Sequence, residues 1–432
     1  MITHKWTASY KGLLEPEILA PPLSKFFPSV VIVPESFRFE IPGSFSDWTS
    51  YGNWQHQLNN GLMDLPVFSV SRINNLIKDI PDTKEKIKIL YQNLQNDTRY
   101  INITIETGGM KPYPASYVAV NKYGDCKALS NYFKAVLQTI GIPSVYAKVY
   151  ADEVIHKTDK TFPSQQFNHI ILCVPLEGDT IWLDCTSKLP FGYLGTFTQS
   201  RDAFLIEHNN SHFAKTPALQ PADVLTTRTV AFKTDENHKA LASFSNTYRG
   251  ESFEQIVNIS KFLNQQRQSQ VIVKNFVEPG FEVLQFAPIE SHRDSLVARL
   301  NYSASSVKTY RNYGNETLIK ILPFELPQLE NPEKRKLPLQ INYPIWNTDT
   351  LEYALPNGSV LTNLPEKQHI ESNFGHYNIE FDCFPDKVIV RKSVLVKAGN
   401  YPIDQYADFY EFIKTIKDYE KQSYIITQIS NK

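Results

Sequence analysis

Three well-separated side chains have the types that covalent acyl chemistry needs: the Cys126 thiol, the His169 imidazole and the Asp184 carboxylate. Cys126 lies in Lys122-Tyr-Gly-Asp-Cys-Lys127, directly before a helical apolar face of Leu129, Tyr132, Phe133, Val136, Leu137 and Ile140. A thiol at a helix N-terminus meets unpaired N–H groups and the positive end of the helix dipole, which favour the nucleophilic thiolate. Gly124 permits a sharp turn into that helix. The alternative is a buried structural cysteine. His169 sits in the apolar run Phe167-Asn-His-Ile-Ile-Leu-Cys-Val174, where an imidazole needs a partner; it can equally be a satisfied core histidine. Asp184 ends Ile181-Trp-Leu-Asp184. A carboxylate buried after Trp and Leu requires a cation or N–H donors, unless it only forms a turn.

Register links two of the three. Leu176-Glu-Gly-Asp179 signals a hairpin. With Glu177-Gly178 at its tip, His169 pairs with Thr186 and Asp184 with Ile171, so His169 and Asp184 become diagonal neighbours on one surface. A one-residue slip would send the carboxylate to the other face. The same register separates Cys173 from Cys185 and argues against a disulfide between them. If the Cys126 helix packs on the His169 face, the three form a nucleophile, a base and its orienter.

The elements that must hold these residues fall into three stretches of a 432-residue chain, too long for one ordinary core. Residues 1–60 read as a partial N-terminal β domain or linker, with strands at Trp6 to Tyr10, Val30 to Val33 and Phe37 to Ile41, then a near-helical aromatic series Phe45, Trp48, Tyr51 and Trp54. Residues 61–212 form an α+β core. A helix over 83–97 opens with a capping box at Asp82-Thr-Lys-Glu85, and the Cys126 helix stops at Gly141. Strands follow at Ser144 to Tyr150, Phe167 to Val174 and Thr180 to Asp184. Residues 213–432 form an antiparallel β-rich domain, interrupted by a helix near 252–268 and ending in a helix over 402–421.

Forty-four basic residues balance 45 acidic ones, which excludes a bulk electrostatic drive toward nucleic acid or anionic membrane. Lys334-Arg335-Lys336, set among prolines, reads as a solvated loop. No apolar run is long enough for a transmembrane helix. The four cysteines lack CxxC spacing and the ten histidines lack HxH or HxxH spacing, so no metal or cofactor is expected. His208 and His212 flank a polar loop.

Tyr-Gly-Asp-Cys-Lys before a helix, Phe-Asn-His at a strand start and Trp-Leu-Asp-Cys-Thr at a strand end together resemble the transglutaminase-like superfamily, over roughly residues 65–200. The resemblance implies a papain-related fold with Cys126, His169 and Asp184 as catalytic triad. Thr98-Arg-Tyr-Ile101, Lys111-Pro-Tyr-Pro114 and Tyr401-Pro-Ile-Asp-Gln-Tyr406 resemble its bacterial branch, whose core is flanked by β domains. The superfamily adds an oxyanion donor upstream of the cysteine. No Trp or Gln stands clearly there, and Tyr100 is the candidate, the alternative being an ordinary strand aromatic. The resemblance implies export to the periplasm or cell surface, whereas the chain as written shows no signal peptide and would stay cytoplasmic.

Two function classes follow. One is a thiol hydrolase of amide or peptide bonds, with transfer to an amine, as in a protein-glutamine acyltransferase, as its variant. Hydrolysis is favoured because no calcium-loop pattern is present. The other is a non-catalytic β-rich binding or assembly protein with a relic core. The partner is a protein, peptide or other amide substrate, and oligomeric state is left open.

Overall fold

The computed structural model describes residues 3–9, 12, 14–102, 109–235 and 239–429, which are mixed α+β with several sheets. The chain divides into two compact units, Pro28–Ala218 and Met1–Phe27 with Leu219–Lys432. Among the described residues, no helix is long and apolar enough to cross a membrane.

In the first unit, β1 (Ser36–Phe39) and β2 (Ile41–Ser44) form a hairpin that turns at Glu40, whose φ is 57°. Asp47 caps α1 (Trp48–Leu58) by accepting from Ser50 N at 2.7 Å. Then come α2 (Val67–Ile77), α3 (Thr83–Asp97), β3 (Arg99–Tyr100), α4 (Ala115–Asn121), β4 (Tyr123–Gly124) and α5 (Cys126–Thr139). The sheet is built from β5 (Val145–Val149), β6 (His169–Leu176), β7 (Asp179–Leu183), β8 (Asp202–Ile206) and β9 (His212–Lys215), with the short helix α6 (Gly195–Thr198) between β7 and β8. Its order is β7-β6-β5-β8-β9, antiparallel throughout.

Alternation along β6 explains how the sheet is covered. Leu172 and Val174 join Ile181 and Leu183 in a core with α2, α3, α4 and α5, including Ile87, Leu90, Leu129 and Phe133. Ile170 joins Tyr146, Phe204, Tyr51, Trp54 and Cys126 in a second cluster. Ile171 and Cys173 face the opposite side with Trp182 and Leu194.

The second unit opens with α7 (Pro221–Val224), β10 (Leu225–Thr234), β11 (Ala240–Tyr248), α8 (Gly250–Phe262), α9 (Gln265–Phe276), β12 (Glu282–Phe286), β13 (Glu290–Ser291) and β14 (Ala298–Ser306). It continues with β15 (Tyr310–Tyr313), β16 (Glu316–Lys320), β17 (Leu339–Ile341), β18 (Ile345–Ala354), β19 (Ser359–Asn363) and β20 (Gln368–Ser372). It ends with β21 (Gly375–Cys383), β22 (Lys387–Val396), β23 (Gly399–Tyr401), α10 (Tyr406–Gln422) and β24 (Tyr424–Ile429). Its main sheet runs β12-β14-β11-β10-β18-β22-β21-β20, with β13 beside β14. The α10 stripe Tyr406, Phe409, Phe412, Ile413 and Ile416 is buried.

Several expectations change. Residues 6–9 and 30–33 have no regular structure, and Tyr10 lies outside the described residues. Short β-prone runs without a neighbouring strand leave their backbone groups to solvent, and Val30, Val31 and Ile32 are exposed. The helix expected near 252–268 is two helices, because Asn264 Oδ1 accepts from Arg267 N at 3.0 Å and starts a new one. The antiparallel rule fails once, where β10 and β18 run parallel.

Arg335 overturns the solvated reading of its basic run. It is 6% exposed, pairs with Glu17 at 2.9 Å and Glu330 at 3.1 Å, and donates to Ile18 O at 2.7 Å and Leu337 O at 2.7 Å. Its fork fastens residues 17–19 to the unit that begins again at Leu219. Charge clustering along the sequence hid this, because Glu17 comes from the far end of the chain.

Candidate functional site

The turn before Cys126 is built differently from its sequence reading. The left-handed residue is Lys122, at φ 62° after α4, rather than Gly124. Gly124 is needed for close approach instead: a Cβ there would lie 2.9 Å from the Ala128 Cβ. Asp125 caps α5 through Oδ1, which accepts from Ala128 N at 2.9 Å. This leaves Cys126 as the first residue of the helix, where backbone N–H groups have no helical acceptor. One turn on, Ser130 Oγ donates to Ile170 O at 3.4 Å and ties that helix face to the residue after His169.

The β6–β7 register is the one expected, with Leu172 opposite Leu183, Cys173 opposite Trp182 and Leu176 opposite Asp179. Cys173 and Cys185 lie in cores on opposite faces, and all four cysteines are free. His169 Nε2 and Asp184 Oδ2 are 2.9 Å apart. Asp184 Oδ1 accepts from Thr186 N at 2.9 Å and from Thr186 Oγ1 at 2.6 Å, and its backbone carbonyl accepts from Tyr91 Oη at 2.8 Å. Asn168 holds the strand entrance: its Oδ1 accepts from Ala151 N at 2.7 Å and its Nδ2 donates to Ala151 O at 2.9 Å.

The meeting of Cys126 with His169 departs from the simplest expectation. Helix α5 covers the even-numbered side of β6, whereas His169 alternates with Ile171 and Cys173. Both nevertheless stand at element ends, one the first residue of α5 and the other the first of β6, and Cys126 is among the groups that act on the imidazole. Nε2 is occupied by Asp184, so Nδ1 is the ring atom left for the thiol.

Burial lowers the His169 pKa, but the Asp184 charge, their hydrogen bond and the Cys126 contact outweigh it and hold the value at about 10. Burial likewise raises Asp184, and the His169 charge with the Thr186 donors more than reverses that. The imidazole is therefore cationic at neutral pH. Burial pushes the Cys185 thiol far up and Cys173 to about 11, so neither competes as a thiolate.

Tyr100 is 47% exposed and sits opposite Gly124 in the β3–β4 pair, two residues before Cys126. Burial raises its phenol pKa, and the charges of Cys126, Asp125 and Asp184 add to that, so it stands within their field. Phe197 lies beside the imidazole, its ring centroid 6.3 Å away. Sequence reasoning missed Asn168, Thr186, Tyr91 and Lys148. Thr186 had a signal, two residues after Asp184 in an Asx-type turn. Lys148 had none: buried on β5, it donates to Tyr51 Oη and to Gln55 Oε1 at 2.8 Å, and burial lowers its pKa to about 7.

Residues 315–426 match the model of a domain of unknown function with a solved structure, DUF3858. No curated protein matches the chain. Among solved structures, the chain resembles one described as a candidate protease from Parabacteroides distasonis, at 13% identity and a TM-score of 0.52. The match covers 93% of this chain and 64% of that one, so the chain spans less than two thirds of its neighbour's length. At this identity the likeness is one of fold.

Proposed function

We propose that the Pro28–Ala218 unit is a transglutaminase-like cysteine hydrolase of amide or peptide bonds. The observation that carries the proposal is the His169–Asp184 pair at 2.9 Å, its imidazole at the start of β6 and Cys126 at the start of α5. A cationic imidazole beside a thiol at a helix start stabilises the thiolate. In the proposed cycle, Cys126 sulfur attacks the substrate carbonyl carbon. The oxyanion is held by N–H groups at the α5 start, with the Tyr100 hydroxyl as added donor. His169 gives its proton to the leaving amine as the C–N bond breaks, leaving a thioester on Cys126. Neutral His169 then takes a proton from water, whose oxygen attacks the thioester carbon; the C–S bond breaks, the acid leaves, and the Cys126 thiolate stands again beside the protonated His169. The protease described among similar folds agrees with hydrolysis as the class of reaction.

The test is intact-mass analysis after mixing the protein with a diverse peptide pool, with and without a primary amine. The proposal expects a transient acyl adduct on Cys126 and shortened peptides, both lost in Cys126→Ala. Amine-tagged peptides without cleavage would replace hydrolysis by transfer. No adduct and no product would favour a binding module.

A further inference from the structure

A second site lies in the other unit and owes nothing to the thiol. One register row of its main sheet is polar: Asn246 pairs with Arg228, Arg228 with Asp349, and Asp349 with Lys392. Asn246, Asp349 and Lys392 are buried and Arg228 nearly so, although Phe244 and Val230 beside them on the same face are apolar. Arg228 donates to Asp349 through Nε at 3.0 Å and Nη2 at 2.6 Å, and through Nη1 to Glu278. Lys392 donates to Glu420 Oε1 at 2.6 Å on α10. Burying such a row is costly, and hydrophobic residues would fold as well or better.

The row ends in a cavity of about 270 Å³, whose floor includes Arg228, Asn246 and Asp349 and whose walls carry Tyr248, Tyr302 and Glu278. Asn246 is 3% exposed, and its Oδ1 has no partner among the described residues. Its Nδ2 donates to Tyr248 Oη at 3.2 Å, which leaves the Tyr248 proton for another acceptor. Tyr302 Oη accepts from Glu278 N at 3.2 Å and likewise keeps its proton. Glu278 meets Arg228 through Oε2, leaving Oε1 as a second acceptor on the wall. Acceptors and donors thus both line a small space with aromatic walls. The lining carries Arg228 and Lys274 against Asp349, Glu278 and Glu325, so it does not favour an anion.

We infer that this cavity binds a neutral polyhydroxylated ligand of about one sugar ring. A hydroxyl both donates and accepts, so a ring of hydroxyls satisfies Asn246 Oδ1 and the two phenols together, with the aromatic rings stacking on its C–H face. The volume is near the lower end for ligand pockets, roughly 300 Å³, which fits one ring rather than a chain. The site is independent of the thiol chemistry proposed above.

The experiment is saturation-transfer NMR on the full chain with D-glucose, D-galactose, N-acetylglucosamine, ethylammonium and acetate as separate probes. At least one sugar is expected to show transfer, with little to the two ions. Asn246→Leu and Tyr302→Phe should each weaken that sugar about tenfold, since each removes one hydrogen bond from a buried group. Tyr302→Phe keeps the ring, and unchanged unfolding of that variant separates lost binding from a lost fold. Transfer to no sugar, to ethylammonium alone, or equally to the wild type and both folded variants overturns the inference.

Discussion

Replacing Asp184 by Asn tests how the imidazole is held, and the hydrogen bonds decide the outcome. Asp184 Oδ1 takes two donors from Thr186, at 2.9 and 2.6 Å, while Oδ2 takes one from His169. An amide has one acceptor end. Turned toward His169, that oxygen would leave an NH₂ facing two Thr186 donors, a buried mismatch costing about 1–3 kcal/mol for each unsatisfied group. The oxygen therefore stays with Thr186, and the NH₂ faces Nε2. This forces the neutral ring's proton to Nδ1, toward Cys126, the wrong tautomer for accepting the thiol proton. Loss of the Asp184 charge also removes the main influence that raises His169, and burial then drives its pKa down. The Cys126 sulfur then loses the imidazolium beside it, so its alkylation by iodoacetamide should slow by on the order of tenfold. Turnover, which also needs the proton donor, should fall further, by roughly 10³–10⁴-fold. The fold should survive, because the Thr186 bonds remain. The assay is the pseudo-first-order labelling rate of Cys126 against pH in both proteins. An Asp184→Asn variant with the wild-type rate and profile would refute the reasoning.

Two further predictions concern stability against pH, where buried groups oppose each other. The folded pKa of Lys148, about 7, lies below its ordinary 10.5, so the unfolded chain binds more protons between them and this group makes stability rise with pH. Lys148→Met should remove that rise, worth up to a few kcal/mol, and expose a stability that falls above neutrality; denaturant melts of the wild type and Lys148→Met near pH 7 and 9.5 check it. The folded pKa of His169 is raised to about 10, so its contribution is full below 6.5 and lost as pH rises through about 10. His169→Gln should therefore make stability climb more steeply than wild type over the same window, and an unchanged slope would contradict the assignment.

Much of the site was legible because local rules fixed it. A two-residue hairpin tip determines register, and register alone put His169 and Asp184 on one surface. The Cys126 helix announced itself through its apolar face and Gly141. Other features depended on partners distant in sequence. Arg335 reads as a surface charge until Glu17, from the other end of the chain, folds onto it. Lys148 reads as an ordinary strand lysine until α1 brings Tyr51 and Gln55 over it. Helices α2 and α4 went unread because Pro66 and Pro114 begin them without a capping side chain. The parallel pairing of β10 with β18 joins strands more than a hundred residues apart, beyond the reach of any periodicity.

The central claim is that Cys126 is a nucleophile held by His169. Competitive labelling with limiting iodoacetamide, followed by peptide mapping of the four cysteines across pH, addresses it directly. Cys383 is exposed, whereas Cys126 is 7% exposed, so access alone favours Cys383. The account predicts that at about pH 6 Cys126 nevertheless labels first, since its sulfur stands at the start of α5 with His169 as its partner. His169→Ala should abolish that lead, while Cys173 and Cys185 stay unlabelled in the folded protein. Labelling of Cys383 ahead of Cys126 at every pH, or a Cys126 profile indifferent to His169→Ala, would contradict it.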